Sequence, residues 1–292
     1  MSRHNWWESL EPEDLTYHSS LESGVTSSML KAFRSSRSDF HRRFIKGEYT
    51  ESDSPALLLG SAVHAMVLEP DLFNEMWVVA PKFDKRTKAG KQAFEEWKIE
   101  NGGKTAIDEK VYLQAQDMAK ALQRDTEAQK WLYLLEGVAE QTTAWMTPVA
   151  EGARSLKCKC KPDRLVPVSM NSSLECDVVV DLKTTSAGLS EREIARTAAM
   201  YDYHCQAAWY MDGVRAVNGD EPVKHVSIFV SKQTLEVACV QYGKASLDAG
   251  RQINMQTVSE LYDCMTFDLW NGRMANKLTS IELPEWSYRW DK

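Results

Sequence analysis

The sequence predicts an α/β fold in which helices flank a mixed central β-sheet. The first observation is a β-branched run over residues 176–184, which is typical of a buried strand. The second is a pair of alternating segments, 223–230 and 235–241, which predicts a hairpin in the same sheet. The third is a set of helical patterns, the longest being an amphipathic helix over 245–269.

Length and composition are those of a folded globular protein. The chain has 292 residues, a hydrophobic content of 43% and ten tryptophans, enough for a substantial core. We expect residues 1–24 to be a loosely tethered lead-in and residues 25–292 to form a single domain. The start lacks the apolar segment of a signal peptide, and no apolar run approaches the roughly 20 residues of a membrane helix. Six cysteines without Cys-x-x-Cys spacing fit free thiols in a reducing cytoplasm.

The net charge of −7 is unusual for a DNA-binding protein, whose domains are often basic. Local charge decides the contacts, however, and the chain has three basic clusters. They are Arg34, Arg37, Arg42, Arg43 and Lys46; Lys82, Lys85, Arg86, Lys88 and Lys91; and Lys157, Lys159, Lys161 and Arg164. Each cluster is consistent with a solvated surface or with a DNA contact, so the acidity does not exclude nucleic acid as a substrate.

Prolines, capping residues and periodicity predict the remaining elements in chain order. In the first half we expect a helix near Met29 capped by Ser27 or Ser28, an apolar helix over 55–68 stopped by Pro70, a strand over 73–80, a helix over 92–100, and a longer helix carrying Val111 and Met118. In the second half we expect a strand over 140–146, an alternating run over 156–163 that Pro162 interrupts, a helix opened by the capping box Ser190–Glu193, and a helix over 201–217.

Asp163, Asp181 and Lys183 are the first candidate site residues. Alternate side chains share a face of a strand, so Asp181 and Lys183 emerge together at its end. A hairpin between the runs 156–163 and 176–184 would bring Asp163 beside Asp181. Two carboxylates and one ammonium would then share a pocket, which a divalent metal ion makes tolerable. From the residues alone, the alternative is a surface hairpin with incidental charges.

Four other residues are weighed in the same way. His64 lies on the apolar helix, where a histidine is either a hydrogen-bonded core residue or a neutral imidazole ligand. Gln206 and Tyr210 are four residues apart on a predicted helix, so they share one face, either as a surface pair or in a cleft. Glu140 begins a predicted strand, and we interpret it as an ordinary exposed glutamate rather than a carboxylate beside a metal.

Pro162-Asp163 followed by Asp181-Leu182-Lys183 resembles the signature of the PD-(D/E)xK nuclease superfamily. Further blocks resemble the nuclease domain family of exodeoxyribonuclease VIII (RecE). These blocks are residues 59–70, 79–91, 158–163, 181–185 and 201–210, which follow the family's order. The resemblance extends from about Val25 to Trp286.

The resemblance implies a PD-(D/E)xK nuclease-like fold and a set of functional residues. The implied metal ligands are His64, Asp163, Asp181 and the carbonyl of Leu182. The implied catalytic residues are Asp163, Asp181, Lys183, Gln206 and Tyr210. Lys183 would orient the attacking water or stabilise developing charge, and Gln206 and Tyr210 would position the substrate.

The activity implied by the resemblance is digestion of double-stranded DNA ends. We expect a 5′→3′ exonuclease that needs Mg²⁺ (Mn²⁺ substituting) but no ATP, and leaves 3′ single strands for recombination by annealing. The family also implies a ring-like homo-oligomer, a tetramer, with a RecT-like single-strand annealing protein as partner. Some superfamily members hold an iron–sulfur cluster with four cysteines, but this chain lacks that arrangement, so we expect none. The alternatives are an endonuclease on the same fold and a non-catalytic DNA-binding scaffold.

Overall fold

The computed structural model describes residues 21–288, apart from residues 22, 49–54, 85, 150–153, 273 and 277 and the side chains of 285 and 286. Most of the expected lead-in over 1–24 lies outside these residues, so the proposed division of the chain stays a prediction. In the described part of the chain, no helix combines the length and apolarity needed to cross a membrane.

Ten α-helices and nine strands are defined within the described residues. The helices are α1 Ser27–Ser35, α2 Arg37–Phe40, α3 Pro55–Leu68, α4 Pro70–Met76, α5 Lys88–Glu100, α6 Glu109–Arg124, α7 Thr126–Gln129, α8 Glu191–Met200, α9 Tyr203–Val217 and α10 Lys244–Phe267. The strands are β1 Trp77–Ala80, β2 Thr105–Asp108, β3 Val138–Ala139, β4 Thr143–Pro148, β5 Ser155–Cys160, β6 Arg164–Val166, β7 Asp177–Thr185, β8 Val223–Ser231 and β9 Val237–Val240. Short π-helical turns, His41–Ile45 and Lys130–Leu134, follow α2 and α7, and a 3₁₀ turn spans Glu285–Tyr288.

A mixed five-stranded sheet organises the fold, as predicted. Its strand order is β3-β6-β7-β8-β9, with β7 and β8 parallel and the other pairs antiparallel. The predicted hairpin of β8 and β9 extends this sheet. Two smaller sheets, β1-β2 and β4-β5, lie outside it.

Helices cover both faces of the sheet, because β7 has apolar side chains on each face. Val179 packs into a core that includes residues of α1, α9 and α10, such as Leu30. Val178, Val180 and Leu182 pack into a second core with residues of α3 and α6. The predicted alternation along this strand is therefore confirmed. Full burial of a side chain of this kind contributes about 1.5–3 kcal/mol, so a shift of register by one residue would be costly.

The predicted partner of β7 is wrong. Residues 155–160 form β5, which pairs with β4 rather than with β7. Pro162 ends the ladder because it has no N–H to donate, and the chain then enters β6, which pairs with β7. β5 instead packs under α9, where Trp209 Nε1 donates to the carbonyl of Lys159 over 2.9 Å. Asp163, directly before β6, still reaches β7.

Several predicted boundaries also differ. Residues 73–76, predicted as the start of a strand, belong to α4. Pro70 ends α3 as predicted, but it is also the first residue of this new helix. Thr26, rather than Ser27 or Ser28, caps α1, and its side chain accepts from the N–H of Met29 over 3.1 Å. Glu140 lies between strands with a φ of 52°, so the strand predicted over 140–146 begins only at Thr143.

Candidate metal centre

The carboxylate of Asp163 bonds to the open edge of β7. The backbone N–H of Leu182 donates to Asp163 Oδ2 over 2.6 Å. β6 pairs with β7 only as far as Val180, so beyond that residue the side chain takes the place of a neighbouring strand. The N–H and C=O of one residue in a strand face the same side. The carbonyl of Leu182 therefore faces this edge as well, where it is available as an oxygen ligand.

His64, Glu140 and Asp163 form a compact group of potential metal ligands. One ligand atom from each residue lies within 4.8 Å of the others. α3 brings His64 Nδ1 to 3.6 Å from Asp163 Oδ2, and the backbone N–H of Glu140 donates to the carbonyl of Asp163 over 3.2 Å. One nitrogen and several carboxylate oxygens form a donor set that a divalent cation such as Mn²⁺ or Mg²⁺ accepts.

The interpretation of Glu140 as an ordinary exposed residue is wrong. Its side chain is only 21% exposed, and its Oε2 lies 2.9 Å from Lys161 Nζ. Nothing in the sequence spacing joins residue 140 to residue 163, because the contact depends on how β3 pairs with β6. The one sequence feature that pointed to Lys161, apart from its basic cluster, is its position directly before Pro162-Asp163.

Lys183 lies at the centre of a second set of contacts. Its Nζ lies 2.8 Å from Asp181 Oδ1 and donates to Gln206 Oε1, also over 2.8 Å. Gln206 Nε2 in turn donates to the hydroxyl of Tyr210 over 2.8 Å. The ammonium also lies 4.8 Å from the ring centroid of Tyr203. These contacts orient the amide of Gln206. Asp181 pairs with Lys183 and does not belong to the compact group of His64, Glu140 and Asp163.

Burial sets the protonation of the site. It raises the pKa of Asp163, of Glu140 (where the carboxylate of Asp163 adds to the effect), and of Asp181 to about 6 despite the nearby Lys183. Burial and then the Lys183 ammonium lower the pKa of His64, which favours a neutral imidazole. For Lys183, burial opposes the charge, but Asp181 and Asp163 raise its pKa overall. Burial thus makes the charged form of all three carboxylates unfavourable, and a divalent cation bound among them would favour it.

An open cleft of about 760 Å³ gives access to this region. Its lining includes His64, Glu140, Asp163, Lys183, Gln206 and Tyr210. Lys183 and Gln206 also line a smaller pocket of about 210 Å³ on the side of α1, so this pair separates two cavities. The structure thus gathers all the predicted site residues in one region and adds Glu140 and Lys161 to them.

Residues 26–281 match a family described as a PDDEXK-like domain of unknown function (DUF3799). The fold is similar to the crystal structure of a Eubacterium rectale protein named "Putative exonuclease", with a TM-score of 0.61 at 16% sequence identity. That likeness covers 94% of this chain and 97% of that chain, and at this identity it concerns the fold alone. The crystal structure of SSO0001 is more distant, with a TM-score of 0.31, 14% identity and coverage of 74% of this chain and 87% of that chain. Among curated proteins, none matches the chain.

Proposed function

The chain belongs to this PDDEXK-like family, and from that premise we propose that it is a metal-dependent DNA nuclease of the PD-(D/E)xK superfamily. We further propose that it acts as an ATP-independent 5′→3′ exonuclease on double-stranded DNA. The observation that carries the nuclease proposal is the ligand group of His64, Glu140 and Asp163 beside the Lys183–Asp181 pair in an open cleft.

We propose that His64, Glu140 and Asp163, together with the carbonyl of Leu182, would hold the cation. Asp181, which the resemblance also implies as a ligand, lies next to them. A divalent cation bound there would activate the attacking water and neutralise charge on the scissile phosphate. Because imidazole is a poor ligand for Mg²⁺ and a better one for transition metals, we expect Mn²⁺ to bind more tightly than Mg²⁺.

The protein's own contribution is positioning and fixed positive charge. Lys183 stays protonated, because the carboxylates of Asp181 and Asp163 raise its pKa. It is therefore suited to stabilising a phosphate oxygen or orienting water, rather than to accepting a proton. Gln206 fixes the ammonium through its carbonyl oxygen and is itself held by Tyr210. The neutral imidazole of His64 keeps a nitrogen lone pair for the cation.

The finer assignments rest on the resemblance of the sequence blocks to the RecE nuclease family. They comprise the 5′→3′ polarity, the preference for DNA ends, the 3′ overhangs used in recombination, the ring-like tetramer and the RecT-like annealing partner. A reducing cytoplasm is the compartment we propose, which agrees with the six free cysteines of the chain.

The decisive experiment compares linear and covalently closed duplex DNA. We expect the purified protein to release nucleotides from linear duplex in Mg²⁺ or Mn²⁺ without ATP, starting at a labelled 5′ end, and to stop when EDTA is added. Covalently closed circles should remain intact. Nicked or linearised circles would favour the endonuclease, whereas binding without cleavage in any metal would favour the scaffold protein.

A further inference from the structure

Two of the three basic clusters use their charges within the fold. In the first, the ion pairs are Arg34–Asp202 (2.9 Å), Arg37–Glu260 (2.6 Å), Arg42–Asp39 (2.8 Å) and Arg43–Asp39 (3.5 Å). In the third, Lys159 is buried, Lys161 pairs with Glu140, and Arg164 donates to the carbonyl of Leu135 over 2.9 Å. Most of these side chains are therefore engaged within the fold, and Arg42, Lys46 and Lys157 are the exposed members of the two clusters.

The second cluster differs because the side chains of its described members extend into solvent. Lys82, Arg86, Lys88 and Lys91 are all exposed. The side chains of Lys82 and Arg86 are 92% and 97% exposed, and the carboxylates nearest to them lie 3.6 Å and 3.9 Å away. Lys88 and Lys91 have no ion-pair partner among the described residues. We call the segment that carries them, residues 81–100 without residue 85, the basic arm. Its positive charge is concentrated between Lys82 and Lys91, where Asp84 is the one described acidic residue, whereas the C-terminal half of α5 carries Glu95, Glu96 and Glu100.

The basic arm is a defined structure that stands away from the two cores. None of the described residues of α5 is buried. The rings of Phe83, Phe94 and Trp97 pack together with centroid distances of 5.4–6.4 Å and join the loop to the helix. The loop folds so tightly that a Cβ on Gly90 would collide with the carbonyl of Asp84. These ring contacts join the helix to the loop that carries Lys82 and Arg86, so the cations of both lie on one unit.

The arm is attached close to the cleft. Glu69, directly after α3, lines the cleft, and α4 and β1 connect it to Pro81 at the start of the arm. A seven-residue helix rises about 10 Å and a four-residue strand about 13 Å, so Pro81 lies within about 25 Å of Glu69. A duplex whose end lies in the cleft needs no more than about seven base pairs, at about 3.4 Å each, to cover that distance.

We propose that the basic arm binds the phosphate backbone of the duplex whose end is processed in the cleft. This inference rests on the proposed nuclease function and assigns its substrate-binding surface. The contacts are made by flexible, exposed cations, so the binding is independent of base sequence and weakens with salt. A local surface of this kind lets a chain of net charge −7 bind a polyanion.

The test is the double variant Lys88→Gln/Lys91→Gln, because glutamine has a helix propensity close to that of lysine. The control Lys224→Gln/Lys244→Gln removes the same charge from exposed lysines that pair with Glu175 and Asp248. Binding of the full chain to a 30-base-pair duplex is measured in Ca²⁺ between 50 and 200 mM salt. For the arm variant we expect Kd to rise about eightfold per lost contact at 0.1 M salt, and the salt slope to fall by about 0.9 per contact. The control should match the wild type.

Cleavage at saturating duplex separates the arm from the cleft. Under that condition the arm variant should digest linear duplex at the wild-type rate, because its weaker binding no longer limits the reaction. If the arm variant has wild-type affinity and salt slope on the duplex while cleavage is intact, the arm assignment is overturned and the nuclease proposal stands. If the wild type neither binds nor cleaves duplex DNA, both proposals fall.

Discussion

The Leu182 amide nitrogen and the Asp163 carboxylate are 2.6 Å apart, so one side chain both completes the edge of β7 and faces the candidate metal centre. To accept the hydrogen bond from the Leu182 N–H, the side chain at position 163 requires only an oxygen atom. To bind a metal ion strongly it requires a negative charge, and burial makes that charge unfavourable, which raises the pKa of Asp163. The two roles can be separated by a substitution that keeps the oxygen and removes the charge.

Asp163→Asn should therefore stabilise the metal-free protein and abolish its activity. The asparagine oxygen can still accept from Leu182, while one charge leaves a buried cluster of three carboxylates. We expect a gain of about 1 kcal/mol, seen as an increase in Tm of about 2–4 °C in EDTA. The stabilisation that Mn²⁺ gives the wild type should disappear. A variant that is less stable than the wild type in EDTA would show that the charge of Asp163 supports the fold.

Glu140 is expected to bind the cation directly, and a ligand-induced shift in Tm tests this. A site filled to one hundred times its Kd stabilises a folded protein by about 2.7 kcal/mol. Glu140→Gln should lose much of this Mn²⁺-dependent stabilisation, whereas Glu175→Gln, at an 88% exposed side chain, should retain it. Differential scanning fluorimetry with EDTA, Mg²⁺ and Mn²⁺ provides the comparison. Equal shifts in both variants would remove Glu140 from the ligand set.

The sequence was informative wherever local periodicity decided the structure. The alternation of β7, the hairpin of β8 and β9, and the helix that aligns Gln206 with Tyr210 are properties of neighbouring residues. The pairing of strands was harder to predict from the sequence. β5 and β6 both precede β7, but the alternating pattern belongs to β5, while β6 is three residues long. The proline between them and the packing of β5 under α9 decide which one pairs with β7.

The same distinction between local periodicity and tertiary packing applies to the residues of the site. Asp181 and Lys183 lie two residues apart on one strand, so their contact could be predicted from the strand period. Glu140 reaches Asp163 through the two-residue strand β3 and a backbone turn with a φ of 52°. A strand that short has no detectable periodicity, and a positive φ at a glutamate is not favoured by its residue type. Tertiary packing alone brings this carboxylate into the site.

His225 should make folding stability depend on pH, separately from the metal centre. Its Nε2 accepts from the N–H of Tyr242 over 3.0 Å, and burial lowers its pKa to about 4. The unfolded chain binds the proton near pH 6.5, so the stabilisation is complete above that pH and is lost as the pH falls towards 4. Between pH 7.5 and 5 the loss should be about 2 kcal/mol.

His225→Gln keeps a hydrogen-bond acceptor but does not titrate, so it isolates this effect from all other groups. Urea unfolding of the wild type and the variant at pH 7.5 and pH 5 provides the measurement. The wild type should lose about 2 kcal/mol more than the variant over this interval. Equal losses in the two proteins would mean that this imidazole titrates normally.

Lys183 provides the prediction that separates catalysis from stability. Its side chain is 15% exposed and pairs with Asp181, so Lys183→Met should destabilise the metal-free protein by roughly 1–3 kcal/mol by leaving a buried carboxylate without its partner. Adding Asp181→Asn should restore the stability by removing that charge, as denaturant unfolding would show. Activity should fall by about 10²–10⁴-fold in Lys183→Met because the ammonium is missing, and it should stay low in the double variant, which lacks both the ammonium and the carboxylate of Asp181. Duplex binding in Ca²⁺ should weaken far less, since one phosphate contact is a small part of the total attraction. Nuclease activity close to that of the wild type in Lys183→Met would mean that Lys183 only supports the fold.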